Sequence, residues 1–176
     1  DVFVVMAYGK IIPDSILKIP KHDSLNIHPS LLPKLRGSSP IESAILNDEK
    51  ENGVTIIKMD AEMDHGPIVA QKVVSIDNWP VRADILGDTL VNHGADLLIK
   101  ILPEWVIGKI NTTEQDHSKA TFTKKIKKKD GEINLSDDPY QNFLKIQAYH
   151  DWPSAYFFEN GRRIKITQAS FTNNQL

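Results

Sequence analysis

The sequence predicts an α/β domain with a largely parallel sheet, followed by a basic linker and the opening of a second, β-rich unit. Three observations carry this. Short β-branched apolar runs such as Val2 to Met6 and Gly53 to Met59 alternate with segments of helical period. Between His117 and Gly131, six lysines face a single acid. Near the end, Asn160-Gly161 separates two strand-like runs, the strongest short hairpin signal.

The elements follow in order. Val2 to Met6 is continuously apolar, as a strand buried on both faces would be. Ala7 to Pro13 reads as a loop, and Asp14 to Ile19 as a short helix stopped before Pro20. Ser24 to His28 is the second strand. Ser39-Pro40-Ile41-Glu42 places a capping Ser, a Pro at the first helical position and a Glu at the third, opening a helix that runs to about Asn47. Gly53 to Met59 and Ile68 to Val74 are two further strands around an acid-rich loop. From Arg82 to Ile107, Leu86, Leu90, Leu97 and Ile101 recur near helical spacing, with Gly94 as a candidate break. Asp138-Pro139 caps a helix through Tyr149, and Ala155 to Glu159 with Arg162 to Gln168 make the hairpin.

The boundaries expected are 1–116 for the α/β domain, 117–137 for the linker and 138–176 for the start of the second domain. One hairpin is too small to stand alone. The chain enters a strand at Asp1 without an initiator Met and stops after Phe171-Thr-Asn-Asn-Gln-Leu176, so an excerpt of a longer protein is expected. Composition adds limits. A net charge of −2 gives no global polyanion signal, and the absence of Cys excludes disulfides, thiolate nucleophiles and cysteine zinc sites. No apolar run is long enough to span a membrane, and the cytoplasm is the default compartment.

Residues 24 to 40 say most about function. Asn26 and His28 stand at i and i+2 of a strand, so an amide and an imidazole share one face at its end. Both can stabilise an oxyanion forming on a carbonyl under attack. Spacing alone leaves the plainer reading open: Asn26 as a turn residue, His28 as a satisfied core histidine. Asp64, in the loop with Asp60 and Glu62, supplies a carboxylate after a buried strand. Beside His28 it would raise the ring's pKa, favour the charged form and relay protons. Alone, an Asp before Gly66-Pro67 is more often a turn former. In an open α/β sheet, ligands bind outside the carboxyl ends of strands, where all three residues are expected. His22, His28 and His65 fit no zinc spacing, so no metal is expected. Asn111-Thr-Thr113 matches a glycosylation pattern that means little without a secretory context. The run Lys124, Lys125, Lys127, Lys128 and Lys129 reads on composition as a solvated face, and otherwise as a phosphate-binding patch.

Asn26-Ile-His28, then Ser30-Leu-Leu-Pro-Lys-Leu-Arg-Gly37, then Asp64-His-Gly-Pro67 together resemble the folate-dependent formyltransferase family. The resemblance extends over nearly the whole chain, through Val5-Met-Ala-Tyr-Gly-Lys-Ile-Ile-Pro13, Gly53-Val-Thr-Ile, Gly66-Pro-Ile-Val-Ala-Gln71, Ala120-Thr-Phe-Thr-Lys-Lys with Asp130-Gly131, and Trp152-Pro-Ser-Ala-Tyr156. It implies a partial Rossmann-like catalytic domain and the start of a barrel of the oligonucleotide-binding type. It implies Asn26, His28 and Asp64 as catalytic triad. Ser30, Leu31, Leu32 and Pro33 would contact the folate, and Tyr8, Ile11 and Ile12 would wall its pterin pocket. The reaction implied moves a formyl group from 10-formyltetrahydrofolate to the α-amine of methionine on initiator tRNA, without a covalent enzyme intermediate or a metal. Arg36 and the five lysines then become tRNA contacts, and the protein a monomer. Three alternatives stand beside this: a sugar-nucleotide N-formyltransferase, a formyltetrahydrofolate hydrolase with water in place of the amine, and a catalytically silent piece serving only as a folded or RNA-binding unit.

Overall fold

The computed structural model describes residues 1–172. Its elements are β1 (Phe3–Val5), α1 (Asp14–Leu17), β2 (Ser24–His28), α2 (Pro40–Leu46), β3 (Asn52–Lys58), β4 (Ile68–Val74), α3 (Ala83–Val106), α4 (Pro139–Ala148), β5 (Tyr156–Glu159) and β6 (Arg162–Lys165). Short 3-10 turns stand at His117–Lys119 and Lys128–Gly131.

The α/β class holds, with a sheet more mixed than expected. Four strands lie in the order β1-β2-β3-β4. Only β1 and β2 are parallel; β2–β3 and β3–β4 are antiparallel. For β3–β4 the reason is the 59–67 connection, which has no crossover helix and so returns the chain as a hairpin; β2 and β3 are antiparallel although α2 lies between them. The first strand also differs from expectation. Phe3 and Val4 are 38% and 47% exposed, because β1 is an edge strand paired only with β2 among the described residues.

β2 decides where the site lies. Leu25 and Ile27 point to one face and pack with Val54, Ile56, Val69 and Leu98 under α3. Ser24, Asn26 and His28 point to the other face, yet they too are buried, because loops cover it. Gly94 does not break α3. A Cβ there would stand 2.6 Å from Ile27 Cγ2 and 3.1 Å from Val54 Cγ2, so the glycine lets the helix lie close on the sheet.

A second cluster joins α2, α3 and α4 through Ala44, Ile45, Leu86, Leu90, Leu144 and Ala148. α4 therefore packs on the same core as α2, although the expected boundary assigns it to the second unit. Asp138 caps α4 by accepting from the Gln141 N–H. Ser39 does not cap α2 with its side chain; its own N–H is held instead by Thr123 Oγ1 at 3.1 Å. At the β5–β6 turn, Asn160 and Gly161 take φ values of +49° and +74°, as a type I′ hairpin requires. The expected tail from 173 to 176 lies outside the described residues.

Candidate active site

Asn26 and His28 meet Asp64 as their shared face requires. Asn26 Nδ2 donates to Asp64 Oδ1 at 3.2 Å, and His28 Nδ1 lies 3.5 Å from the same oxygen. The other carboxylate oxygen accepts the Gly37 N–H at 2.8 Å. The route Asp64 takes differs from expectation. β3 is antiparallel, so its carboxyl end at Lys58 stands beside Leu25, at the amino end of β2. The 59–67 loop has to turn back across the sheet to bring Asp64 over Asn26 and His28. Two features let it do so. Asp64 takes a left-handed φ of +51°, which Asp tolerates better than most residues. At Gly66 a Cβ would sit only 1.8 Å from the Lys58 carbonyl oxygen, so the closeness of the turn demands glycine.

The state of His28 corrects an expectation. Its ring is 4% exposed, and burial pushes its pKa below the ordinary histidine value, with the nearby Arg36 charge acting in the same direction. The Asp64 carboxylate and the Leu35 carbonyl pull the other way and do not win. The balance favours the neutral ring, because desolvation of a charged imidazole outweighs the carboxylate 3.5 Å away. His28 Nε2 stands 2.9 Å from Leu35 O, a pure acceptor, so Nε2 carries the hydrogen and Nδ1 the lone pair.

The sign of the pH effect follows. An unfolded histidine protonates near pH ~6.5, whereas the folded one resists to lower pH. The stability tied to neutral His28 is complete above that value and is lost as pH falls through the folded pKa. Scanning calorimetry across this range should show a steeper fall in Tm for the native chain than for His28→Gln. Equal slopes would mean His28 is not the group responsible.

The Ser30 to Pro33 stretch is pinned from behind by residues that the sequence did not single out. Thr55, fully buried on β3, donates to Ser30 O at 2.7 Å and accepts from the Leu32 N–H at 3.1 Å. Gln71 Nε2 reaches both Thr55 Oγ1 and Leu32 O, at 2.8 and 2.9 Å. Leu35 takes φ +60°, costly for a bulky side chain at about 1–2 kcal/mol. It is held there by His28 at its carbonyl and by Thr121 Oγ1 at its N–H, 2.8 Å away. Thr55 carried a signal, being the polar residue inside the apolar stretch Val54 to Ile57. Thr121 and Gln71 lie in stretches that carry the family resemblance, but their roles were not legible because they depend on contacts far along the chain.

Other expected site residues fall differently. Ser30, Leu31 and Pro33 line a cavity of about 140 Å³ with Lys34, Glu49 and Lys119, and none of the triad lines it. Leu32 is buried. Tyr8 and Ile11 are 60% and 72% exposed and Ile12 half-buried, on a loop leaving β1 just past Val5, the partner of Asn26. That loop makes no hydrogen bond to Ser30–Pro33 or Asp64 among the described residues. Lys124, Lys125, Lys127, Lys128 and Lys129 are all exposed. Arg36 is not available to a nucleic acid: it is 3% exposed, and its guanidinium donates to Gln115 Oε1 and His117 Nδ1. A loop arginine between Leu35 and Gly37 looks exposed in sequence, but the 115–123 segment covers it. Among the described residues no group of three His, Asp or Glu is placed to hold a metal, and no helix is long and apolar enough to cross a membrane.

Residues 1–103 match the family model described as formyl transferase, and residues 125–176 match formyl transferase, C-terminal domain. The chain belongs to the formyl transferase family. A methionyl-tRNA formyltransferase of Chloroflexus aurantiacus is 46% identical over 97% of this chain. The chain spans about half of that relative, 54% of its length. A sugar N-formyltransferase of a Shewanella species superposes with a TM-score of 0.78 at 25% identity, over 97% of this chain and 70% of that one. HypX from Aquifex aeolicus, in complex with tetrahydrofolic acid, superposes with a TM-score of 0.81 at 20% identity, over 96% and 29% of the two chains. At that identity the likeness to HypX concerns the fold.

Proposed function

We propose that this formyl transferase chain carries the reaction centre of a methionyl-tRNA formyltransferase, moving a formyl group from 10-formyltetrahydrofolate to the α-amine of methionyl-initiator tRNA. The observation that carries the chemistry is the Asp64 carboxylate accepting from Asn26 Nδ2 and the Gly37 N–H at once, with His28 Nδ1 3.5 Å away. The acceptor is favoured by the methionyl-tRNA formyltransferase relative at 46% identity.

The amine attacks the formyl carbon, and the carbonyl oxygen becomes an oxyanion. Asn26 uses one Nδ2 hydrogen on Asp64, leaving the other for that oxygen. The attacking amine must lose a proton and the departing folate nitrogen must gain one, so the reaction consumes none overall. His28 Nδ1, neutral at rest, takes the first proton and returns it to the leaving nitrogen. Asp64 stabilises the imidazolium while it exists, since its charge raises the proton affinity of the ring. Asp64 thus acts on a transient charge rather than holding His28 charged beforehand. Ser30 to Pro33 follow directly on this centre and are the folate contact in this reading, with Tyr8, Ile11 and Ile12 at its outer edge. No metal enters the scheme. The division at 116 and 137, with a second unit of the oligonucleotide-binding type, belongs to the same proposal.

Labelled formyl-folate offered with methionyl-initiator tRNA or with an amino-sugar nucleotide tests the acceptor. Label on the tRNA alone is expected, whereas label on the sugar would favour the acceptor class of the Shewanella structure. Calorimetric titration of 10-formyltetrahydrofolate into this 176-residue chain separates a competent centre from a silent piece. The lysine run gives a further prediction. Changing Lys124, Lys125, Lys127, Lys128 and Lys129 to Ala should weaken tRNA binding and flatten its salt dependence, by roughly 0.7–0.9 in log–log slope for each phosphate no longer neutralised. An unaltered slope returns the run to a solvated face.

A further inference from the structure

Within the 59–67 loop, Asp60 accepts from the Glu62 N–H and pairs with His65, but the backbone carbonyls of Asp64 and Gly66 are held from a distant segment. Thr113 forms a bridge with Ile68, exchanging both backbone hydrogen bonds at 2.7 and 2.8 Å, so Gln115 is delivered beside the loop two residues later. Gln115 is 4% exposed. Its Nε2 donates to the backbone carbonyls of Asp64 and Gly66, at 2.9 and 2.7 Å. Its Oε1 accepts Nε and Nη2 of Arg36, at 3.1 and 2.6 Å.

The orientation of this amide is forced. A guanidinium has donors only, so the oxygen must face Arg36 and both Nε2 hydrogens must face the loop carbonyls. Gln115 thereby spends its two donors on the residue carrying the carboxylate and on the glycine two positions later. Arg36 is fixed in turn from its other side, where Nη2 stands 2.9 Å from His117 Nδ1. That ring stacks on His65 of the same loop, with centroids 4.2 Å apart and planes within 4°. The backbone N–H next along from Arg36, at Gly37, donates to Asp64 Oδ2. Gln115, held by Arg36, thus grips Asp64 at its backbone carbonyl, while Gly37 and Asn26 receive its carboxylate.

We propose that Gln115, oriented by the buried Arg36, is a positioning residue that sets the Asp64 carboxylate against Asn26 and His28. The proposal rests on the formyl-transfer reading of those three residues. Glu in place of Gln115 keeps the length and the bond to Arg36 but turns an acceptor oxygen onto two carbonyls, which releases the loop. Gln115→Met removes the donors without that repulsion and serves if the first variant fails to fold.

Two measurements on the protein test it. Backbone hydrogen exchange at 60–67 needs no activity, and about tenfold faster exchange is expected in either variant. In single-turnover transfer, kcat should fall roughly 10- to 100-fold with the KM for the formyl donor held within about threefold, the size of effect an ångström-scale misplacement produces. In an Asp64→Asn background the same change should cost less than about twofold, because nothing remains for Gln115 to position. Unchanged exchange at 60–67, full kcat in both variants, or an equal loss in the Asp64→Asn background would overturn the proposal. A native protein that formylates no acceptor would instead defeat the formyl-transfer reading, with exchange still reporting whether Gln115 holds the loop.

Discussion

Replacing His28 with Ala is expected to slow formyl transfer by about two to four orders of magnitude, the usual worth of a positioned acid–base group. That corresponds to roughly 3–5 kcal/mol of transition-state stabilisation. The affinity for 10-formyltetrahydrofolate should change little, because in this reading His28 moves a proton only during the reaction, while Ser30 to Pro33 hold the donor. The loss therefore belongs in the chemical step, not in donor binding. Single-turnover rates with saturating donor, beside calorimetric binding of the donor, separate the two. Some stability will also go, since Leu35 O loses its donor inside the protein, a cost of about 1–3 kcal/mol. An unchanged single-turnover rate would remove His28 from the reaction.

Asp64→Asn should be nearly as damaging, for a reason visible in the hydrogen bonds. Both carboxylate oxygens accept: one from Asn26 Nδ2, the other from the Gly37 N–H. An amide offers a single acceptor oxygen, so one of these donors would confront an N–H instead. The charge that stabilises a protonated His28 disappears at the same time.

The pairing of Asn26 with His28 was legible because it rests on local geometry. A period of two along Ser24 to His28 divides Leu25 and Ile27 from Asn26 and His28, and the structure preserves that division. The Asn160-Gly161 turn and the Asp138 cap were legible for the same reason. What sequence could not supply was set by contacts between remote segments. Arg36 reads as a loop cation, and its burial depends on Gln115, 79 residues away. The protonation of His28 was not legible, because a carboxylate nearby is visible in sequence, whereas the water excluded around the ring is not. Strand direction does carry a signal. The absence of any helical period between Met59 and Ile68 already argues for a hairpin there.

A further large effect is expected at a residue that performs no chemistry. In Gly66→Ala the new Cβ would lie 1.8 Å from the Lys58 carbonyl oxygen, a backbone atom that no rotamer change can move aside. Lys58 is itself fixed, donating its N–H to Pro67 O at 3.0 Å, and Met59 beside it donates to Ser24 O at 2.8 Å. The strand is anchored, so the loop must give way, by roughly an ångström or more. Asp64 lies two residues before Gly66, and Gln115 grips the carbonyls of both. Displacement of Gly66 therefore carries the carboxylate off Asn26 and His28. Overpacking against backbone should cost about 1–3 kcal/mol in stability, read from the shift in urea midpoint. Transfer should fall about 100-fold in protein that remains folded. A Gly66→Ala protein with native turnover would show that the close turn at Lys58 is not what holds Asp64 in place.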